Sequence, residues 1–231
     1  QQRKDNKAEL MDLEGTFDDL WATAQDVDTA DREVGKATYG EQAADMIDDK
    51  GYVPLLNESD LHTCADSEFI GRTKLGVDPS GEGDDQTLLV CRDRFKAKAV
   101  ARENISTQRS IAARTLTAMK ALNIKQRDVY VDNFGEGANV AQELAMAKQY
   151  VNAVNVGKMA DDDERFYNKR AEAFWRLKEW LRSGGELIGE GWRELLDIKY
   201  RVETNGKIKI MGKEEMRRNG IPSPNQADAL M

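Results

Sequence analysis

Short apolar runs with alternating or continuous spacing recur between residues 74 and 156. Such runs, about four to eight residues long and bounded by polar or glycine-rich segments, are typical of β-strands. They predict five strands, at 74–78, 86–92, 96–102, 129–132 and 153–156. The first three are joined by short connections, so we expect them to form an antiparallel meander.

Apolar residues spaced three and four positions apart predict helices between and after the later strands. One begins at Ser106 or Thr107, whose side chains suit an N-cap. Two more are predicted over 137–150 and 164–182. A meander that continues into alternating helices and strands forms a mixed sheet with helices on both faces. The pattern therefore predicts the α/β class.

The other segments carry weaker patterns. Residues 1–50 are acidic with helical spacing, which predicts a mostly helical lead-in. Residues 51–57 indicate a loop or an edge strand, because they contain a proline. Residues 58–69 favour a short helix. The Asn-Gly pair within 202–211 is a strong turn signal and predicts a hairpin.

Charge is distributed unevenly along the chain, whose net charge is −8. Residues 1–70 carry −12 and residues 71–231 carry +4, so we place a domain boundary near residue 70. Within the second part, residues 89–127 hold 10 basic and 2 acidic side chains. Such a segment either binds a polyanion or forms solvated helix and strand surface, and the composition favours neither. The candidate DNA contacts are Arg92, Arg94, Lys96 and Lys98, with Lys213 farther along the chain.

The composition limits the class of protein. With 231 residues, 40% hydrophobic and 33% charged, the chain is typical of globular domains. No run of about 18 apolar residues predicts a transmembrane helix, and no signal peptide is indicated. The first residue is not Met, so we expect a piece of a longer protein. His62, Cys64 and Cys91 are the only residues of their types, which excludes a zinc site of Cys and His and disfavours Ser-His catalysis. We expect a reducing compartment.

Three aspartates far apart in sequence lie at the ends of predicted elements. Asp78 and Asp132 end strands, and Asp228 opens a helix. Any one of them taken alone is more typical of a turn. Together, they are the hard oxygen ligands that Mg²⁺ and Mn²⁺ prefer. Two-metal phosphodiester hydrolysis needs such carboxylates, with Asp78 bridging and the other two flanking. Asp84 or Asp85 is close enough in sequence to join them directly or through water.

These segments together resemble the nuclease domain of the large terminase subunit, the DNA-packaging motor of tailed phages. The resemblance spans about residues 71–231 and has four ordered parts. They are Asp78 with Gly83, Asp85 and Thr87; Asp132 with Gly135 and Gly137; Asn168 with Arg170, Ala171 and Glu172; and Ser223 and Pro224 with Asp228, Ala229 and Leu230.

The resemblance implies an RNase H-like fold, akin to RuvC resolvases. It implies an endonuclease that uses two Mg²⁺ or Mn²⁺ ions and cuts concatemeric viral DNA at the start and end of packaging. The implied partners are double-stranded DNA, the terminase small subunit and the portal protein, in the cytoplasm of the host cell. It also implies an ATPase domain before this piece, with residues 1–70 as the lead-in. No G-x-x-x-x-G-K-[ST] motif is present in the chain.

Two departures from the family pattern matter. Asn225 lies where many members carry Asp, and the chain stops at Met231, so the last helix is short enough to fray. Two other functions stay open. One is a RuvC-like junction resolvase or transposase-type nuclease, and the other is a non-catalytic DNA-binding or portal-docking module.

Overall fold

The computed structural model describes residues 46–65, 68–80, 86–133 and 137–231. The expected helices of residues 1–45 lie outside this part of the chain, as do Asp84, Asp85 and Gly135. The chain divides between Val53 and Pro54 into two compact units. The predicted boundary near residue 70 therefore falls inside the second unit, which carries the candidate site.

The strands are β1 (Val53–Pro54), β2 (His62–Cys64), β3 (Lys74–Asp78), β4 (Thr87–Arg92), β5 (Lys96–Glu103), β6 (Val129–Asp132), β7 (Asn152–Val154), β8 (Glu186–Ile188), β9 (Lys199–Val202) and β10 (Ile208–Ile210). The helices are α1 (Gln108–Ala121), α2 (Gly137–Met146), α3 (Lys169–Arg182), α4 (Lys213–Arg218) and α5 (Asn225–Leu230). Short 3₁₀ turns cover Glu58–Asp60, Gln126–Asp128 and Trp192–Asp197. In the described ranges, no helix is long and apolar enough to cross a membrane.

Seven strands form one mixed sheet in the order β2-β8-β5-β4-β3-β6-β7. β3, β4 and β5 pair antiparallel, which confirms the predicted meander. β6 and β7 extend it with parallel pairing on one side, and β8 and β2 do so on the other. The predicted α/β class and mixed sheet are confirmed. Strands β2 and β8 were not predicted, and β2 lies within the segment where the sequence favours a short helix.

One face of the sheet packs on α1 and α2 through a wholly apolar cluster. Leu75, Val77, Leu89, Val129 and Val131 supply the sheet side of this cluster and are at most 2% exposed. Burying each such side chain contributes about 1.5–3 kcal/mol. Successive side chains of a strand point to opposite faces. Because every second residue of β3 and β6 is apolar, these apolar side chains all lie on this face and stabilise it by their burial.

The structure differs from the sequence predictions mainly at helix ends. The predicted helix over 164–182 begins only at Lys169, because Asn168 caps it by accepting a hydrogen bond from the Ala171 amide at 3.0 Å. The helix predicted over 58–69 is wrong: Asn57 starts a single 3₁₀ turn, and β2 follows. The hairpin within 202–211 is confirmed, with β9 and β10 antiparallel.

Candidate active site

Asp78 and Asp132 end two strands that lie side by side. β3 and β6 are parallel, with Gly76 opposite Tyr130 and Val77 opposite Val131. The same register brings Asp78 opposite Asp132. Because facing residues of parallel strands project to the same side, both carboxylates leave the sheet at one end and on one face. That face is the one opposite the apolar cluster, to which Val77 and Val131 point. Asp78 is buried and Asp132 is half-buried.

The C-terminal helix α5 packs directly on β3 at Gly76. A Cβ atom on Gly76 would lie 1.9 Å from the carbonyl oxygen of Ala229, so only glycine fits this contact. Position 76 is on the same face as Asp78, since the two are two residues apart on one strand. Asp228 immediately precedes Ala229, and the close packing therefore brings its carboxylate to the end of β3.

Lys213, the first residue of α4, links two of the aspartates. Its Nζ lies 2.8 Å from Asp228 Oδ2 and 3.9 Å from Asp78 Oδ2. Burial acts to lower the pKa of Lys213, but the carboxylates of Asp228 and Asp78 outweigh it and raise that pKa above its ordinary value. The ammonium therefore balances part of the negative charge that gathers here.

Arg170 holds the other oxygen of Asp228. Its Nη2 lies 3.3 Å from Asp228 Oδ1, and its Nη1 donates to the Met211 carbonyl oxygen at 2.8 Å. The guanidinium carbon also lies 4.7 Å from the centre of the Phe174 ring. A buried arginine with three fixed contacts orients the carboxylate that it pairs with.

A divalent ion suits this set of donors. Asp228 Oδ2 is buried and, among the described residues, has the Lys213 ion pair but no hydrogen bond, because the ammonium approaches it from an unfavourable direction. An acceptor of that kind is costly unless a cation completes it. In the described ranges, no three acidic, His or Cys side chains form a ready metal cluster. Lys213 lies within reach of both Asp78 and Asp228, where such a cluster would form.

Among the described residues next to the two strand ends, Ser80, Thr87 and Asn133 are held by hydrogen bonds. Thr87 Oγ1 accepts from the Ser80 amide at 3.1 Å and donates to the Ile105 carbonyl oxygen at 2.7 Å. The amide of Asn133 donates to the Val154 carbonyl oxygen at 2.7 Å. Thr87 is fully buried, so this motif residue closes the base of the loop after Asp78.

A cleft of about 720 Å³ adjoins the aspartates, and Asp132 and Asp228 are among its lining residues. Of the five predicted DNA contacts, Arg92 and Arg94 line it. Lys96, another predicted DNA contact, is only 8% exposed. The cleft also has basic side chains that the sequence analysis missed, namely Arg72, Lys74, Lys169 and Arg176.

Trp180 of α3 supports Arg92 and Arg94, which form the basic wall of the cleft. The guanidinium of Arg92 lies 4.5 Å from the centre of the Trp180 ring, and the Trp180 indole donates to the Arg94 carbonyl oxygen at 2.7 Å. Burial lowers the pKa of Arg92 from its ordinary value. Gly185 leaves room for the indole, because a Cβ there would lie 2.5 Å from it. Trp180 thus holds the Arg92 side chain and the Arg94 backbone, while the Arg94 guanidinium lies 5.4 Å from the centre of the Phe95 ring.

A signal for two of the missed residues was present in the sequence. Lys74 shares the two-residue period of Gly76 and Asp78, and Arg72 precedes it by two positions. A strand that ends in a metal-binding carboxylate presents its alternate residues to the same side. Lys169 and Arg176 carried no such signal, because α3 reaches the cleft only through the tertiary fold.

No protein-family model and no curated protein matches this sequence. Solved structures do match. The nuclease domain of the large terminase subunit gp2 of bacterial virus Sf6 aligns with a TM-score of 0.60 at 24% identity, over 71% of this chain and 87% of that chain. The large terminase nuclease of thermophilic phage G20c, with bound magnesium, aligns with a TM-score of 0.54 at 15% identity, over 74% and 90% of the two chains.

The large terminase nuclease domain of Thermus phage P74-26 aligns with a TM-score of 0.51 at 14% identity, over 74% of this chain and 88% of that chain. A variant of the Sf6 domain has been solved with manganese. These likenesses cover 71–74% of this chain at low sequence identity. The chain therefore has the fold of the nuclease domain of phage large terminase subunits.

Proposed function

We propose that this chain is an endodeoxyribonuclease that depends on two Mg²⁺ or Mn²⁺ ions and belongs to a phage DNA-packaging terminase. One observation carries the proposal: Asp78 and Asp228 lie within reach of the same ammonium, and Asp132 is opposite Asp78 in the strand register. Carboxylates that meet in this way from remote parts of a chain are the ligands of hard divalent ions.

Asp78, Asp132 and Asp228 would hold the two ions. When bound, the ions supply the charge that activates the attacking water and stabilises the leaving oxygen. The chain's own residues orient this arrangement. Arg170 fixes the rotamer of Asp228 through one oxygen, and the second oxygen is paired with the Lys213 ammonium. Lys213 supplies a positive charge beside two carboxylates, and it has to give way or turn towards the phosphate as the ions bind.

The cleft would bind the DNA backbone. Arg72, Lys74, Arg92 and Arg94 line the same cleft as Asp132, and Lys74 and Arg92 pair at the opposite end of β3 from Asp78. Basic side chains along a cleft attract phosphates without regard to base sequence. Lys98 and Lys96 lie outside the cleft lining in the described residues, and Lys96 is buried, so we leave both out of the proposed DNA surface.

A plasmid-nicking assay tests the proposal. The purified chain is incubated with supercoiled plasmid over a series of Mn²⁺ and Mg²⁺ concentrations, with EDTA as the blank. We expect nicking that requires the metal and that Asp132→Asn and Asp228→Asn abolish. Asp163→Asn is the matched control, because Asp163 is an exposed aspartate in a loop. Intact plasmid at every metal concentration would contradict the proposal.

The biological role follows from the fold and from the motifs. We place the nuclease in the packaging motor, where it would cut concatemeric DNA in the cytoplasm of the infected cell. In the complete protein, an ATPase domain would precede residues 1–70, and the small subunit and the portal would be partners. Comparison of linear duplex with a four-way junction separates this role from that of a resolvase, which would cut the junction much faster.

A further inference from the structure

The helix that carries Asp228 has little stability of its own. α5 has only six residues, and Pro224 at its N-cap gives no side-chain hydrogen bond. The first amides of a helix need partners, and isolated helices of this length are not stable in water. Whatever holds α5 therefore also determines where the Asp228 carboxylate lies.

Glu194 supplies the missing cap from a distant part of the chain. Its Oε1 accepts a hydrogen bond from the Ala227 amide at 2.6 Å. Glu194 belongs to the 3₁₀ turn Trp192–Asp197, which follows β8. A carboxylate at the N-terminus of a helix satisfies a free amide and interacts favourably with the helix dipole. The capped amide is that of the residue immediately before Asp228.

Gln226 forms the second part of the same arrangement. Its side chain is fully buried. Its Oε1 accepts from Arg102 Nη2, and its Nε2 donates to the Glu190 carbonyl oxygen at 3.2 Å. The side-chain oxygen of Gln226 is thus paired with a donor from β5, and its side-chain nitrogen with an acceptor from the loop after β8. Gln226 thus connects α5 to two other elements.

Gly191 shows how closely the loop approaches. Its φ of +91° favours glycine, and a Cβ atom there would lie 2.6 Å from Arg102 Nη2 and 2.8 Å from Gln226 Oε1. A side chain at this position would displace the ends of the Arg102 and Gln226 side chains, which hold α5. The backbone of the loop and the side chain of Gln226 are therefore in close contact.

We infer that Glu194, Arg102 and Gln226 are positioning residues that fix α5 so that the Asp228 carboxylate is ready to bind a divalent ion. This inference rests on the proposed function. The three residues do not touch the reacting atoms. Arg102 holds Gln226 and Glu194 holds Ala227, which are the two residues that precede Asp228. Arg170 holds the Asp228 side chain. Loss of such outer support typically weakens metal binding about 10–100-fold.

The test measures Mn²⁺ affinity by calorimetry without DNA, beside the Mn²⁺ concentration for half-maximal nicking. We expect Glu194→Ala to weaken both by about 10–100-fold, and Glu194→Gln to restore them, because an amide oxygen still accepts from Ala227. Glu203→Ala is the matched control, since Glu203 is a partly buried glutamate paired with Arg201 in the hairpin. We expect it to bind Mn²⁺ like the wild type.

If Glu194→Ala does not fold, as judged by its melting curve, Arg102→Met decides, because Arg102 is an exposed residue and its loss breaks the contact with Gln226 while the Glu194–Ala227 hydrogen bond stays in place. We expect Arg102→Met to weaken Mn²⁺ binding several-fold. Wild-type Mn²⁺ affinity in folded Glu194→Ala or Arg102→Met would overturn the inference while wild-type nicking still supports the nuclease. Absence of Mn²⁺ binding and nicking in the wild type would instead overturn the proposed function.

Discussion

The two faces of the central sheet are built in different ways. The face that packs on α1 and α2 is apolar throughout, and its residues come from one continuous stretch between Leu75 and Leu144. The opposite face carries Asp78 and Asp132, and it is completed by residues up to 150 positions away, such as Asp228. One face supplies stability from local sequence, and the other supplies a site that only the tertiary fold can assemble.

Substitution of Asp78 should separate the two faces most sharply. We expect Asp78→Asn to reduce nicking by at least about 100-fold, since a direct ligand matters at least as much as outer support. The free energy of unfolding should change by less than about 1 kcal/mol, because carboxylates that repel each other gain little from being charged. Nicking rates and urea unfolding of the same preparation measure both. Wild-type nicking by this variant would remove Asp78 from the site.

The converse change lies on the apolar face. Leu89 is fully buried in the apolar cluster, and Leu89→Ala should lower the free energy of unfolding by about 2–5 kcal/mol. Below its melting temperature, the variant should keep the Mn²⁺ dependence of the wild type. A shifted Mn²⁺ optimum in folded Leu89→Ala would show that the two faces are coupled more strongly than their separate construction indicates.

Gly76 lies on the polar face, where β3 contacts α5. Gly76→Ala brings a methyl group against the Ala229 carbonyl oxygen, and such overpacking costs about 1–3 kcal/mol. We expect α5 to move and Mn²⁺ affinity to fall more than stability does. Calorimetry and thermal melting distinguish these effects. Equal Mn²⁺ affinity in variant and wild type would mean that α5 tolerates displacement from β3.

The basic wall belongs to the polar face, and its effect should be electrostatic. We expect Arg92→Ala and Arg94→Ala each to weaken duplex binding and to reduce the slope of log affinity against log salt by about 1. Arg109→Ala is the control, because Arg109 is an exposed arginine of α1. Fluorescence anisotropy over a salt series measures the slopes. If Arg92→Ala and Arg94→Ala gave the same salt slope as the control Arg109→Ala, the basic wall would be ordinary solvated surface.

The smallest expected effect concerns pH. Burial raises the pKa of Glu194 to about 7, and the Ala227 amide and Arg102 only partly oppose it. The folded protein then binds a proton more tightly than the unfolded chain. Stability from this group is fully present below the ordinary pKa of 4.5 and is lost as pH rises through about 7.

Between pH 5 and pH 8, the wild type should therefore lose about 1–3 kcal/mol relative to Glu194→Gln, whose side chain does not titrate. Melting curves of both proteins at the two pH values give the difference. If both proteins changed equally in stability between pH 5 and pH 8, Glu194 would ionise at its ordinary pKa.

Much of this architecture was predictable, for physical reasons that particular residues illustrate. The bounds of β3 and β6 follow from alternation, and the Thr107 cap follows from its hydroxyl, which accepts from Ser110. The parallel strands β2 and β8 were missed; the residues of β2 are mostly exposed and therefore show no apolar pattern. The support of Asp228 by Glu194 was not predictable either, since 33 positions separate Glu194 from Ala227.

The ion pairs around Asp228 have a consequence for how this domain matures. Carboxylates at the end of β3 without compensation would oppose collapse of the chain, but Lys213 and Arg170 act as internal counterions. Under the proposed function, we therefore expect the domain to acquire its shape in chelator, to be stored inert and to become active only when Mg²⁺ or Mn²⁺ is added.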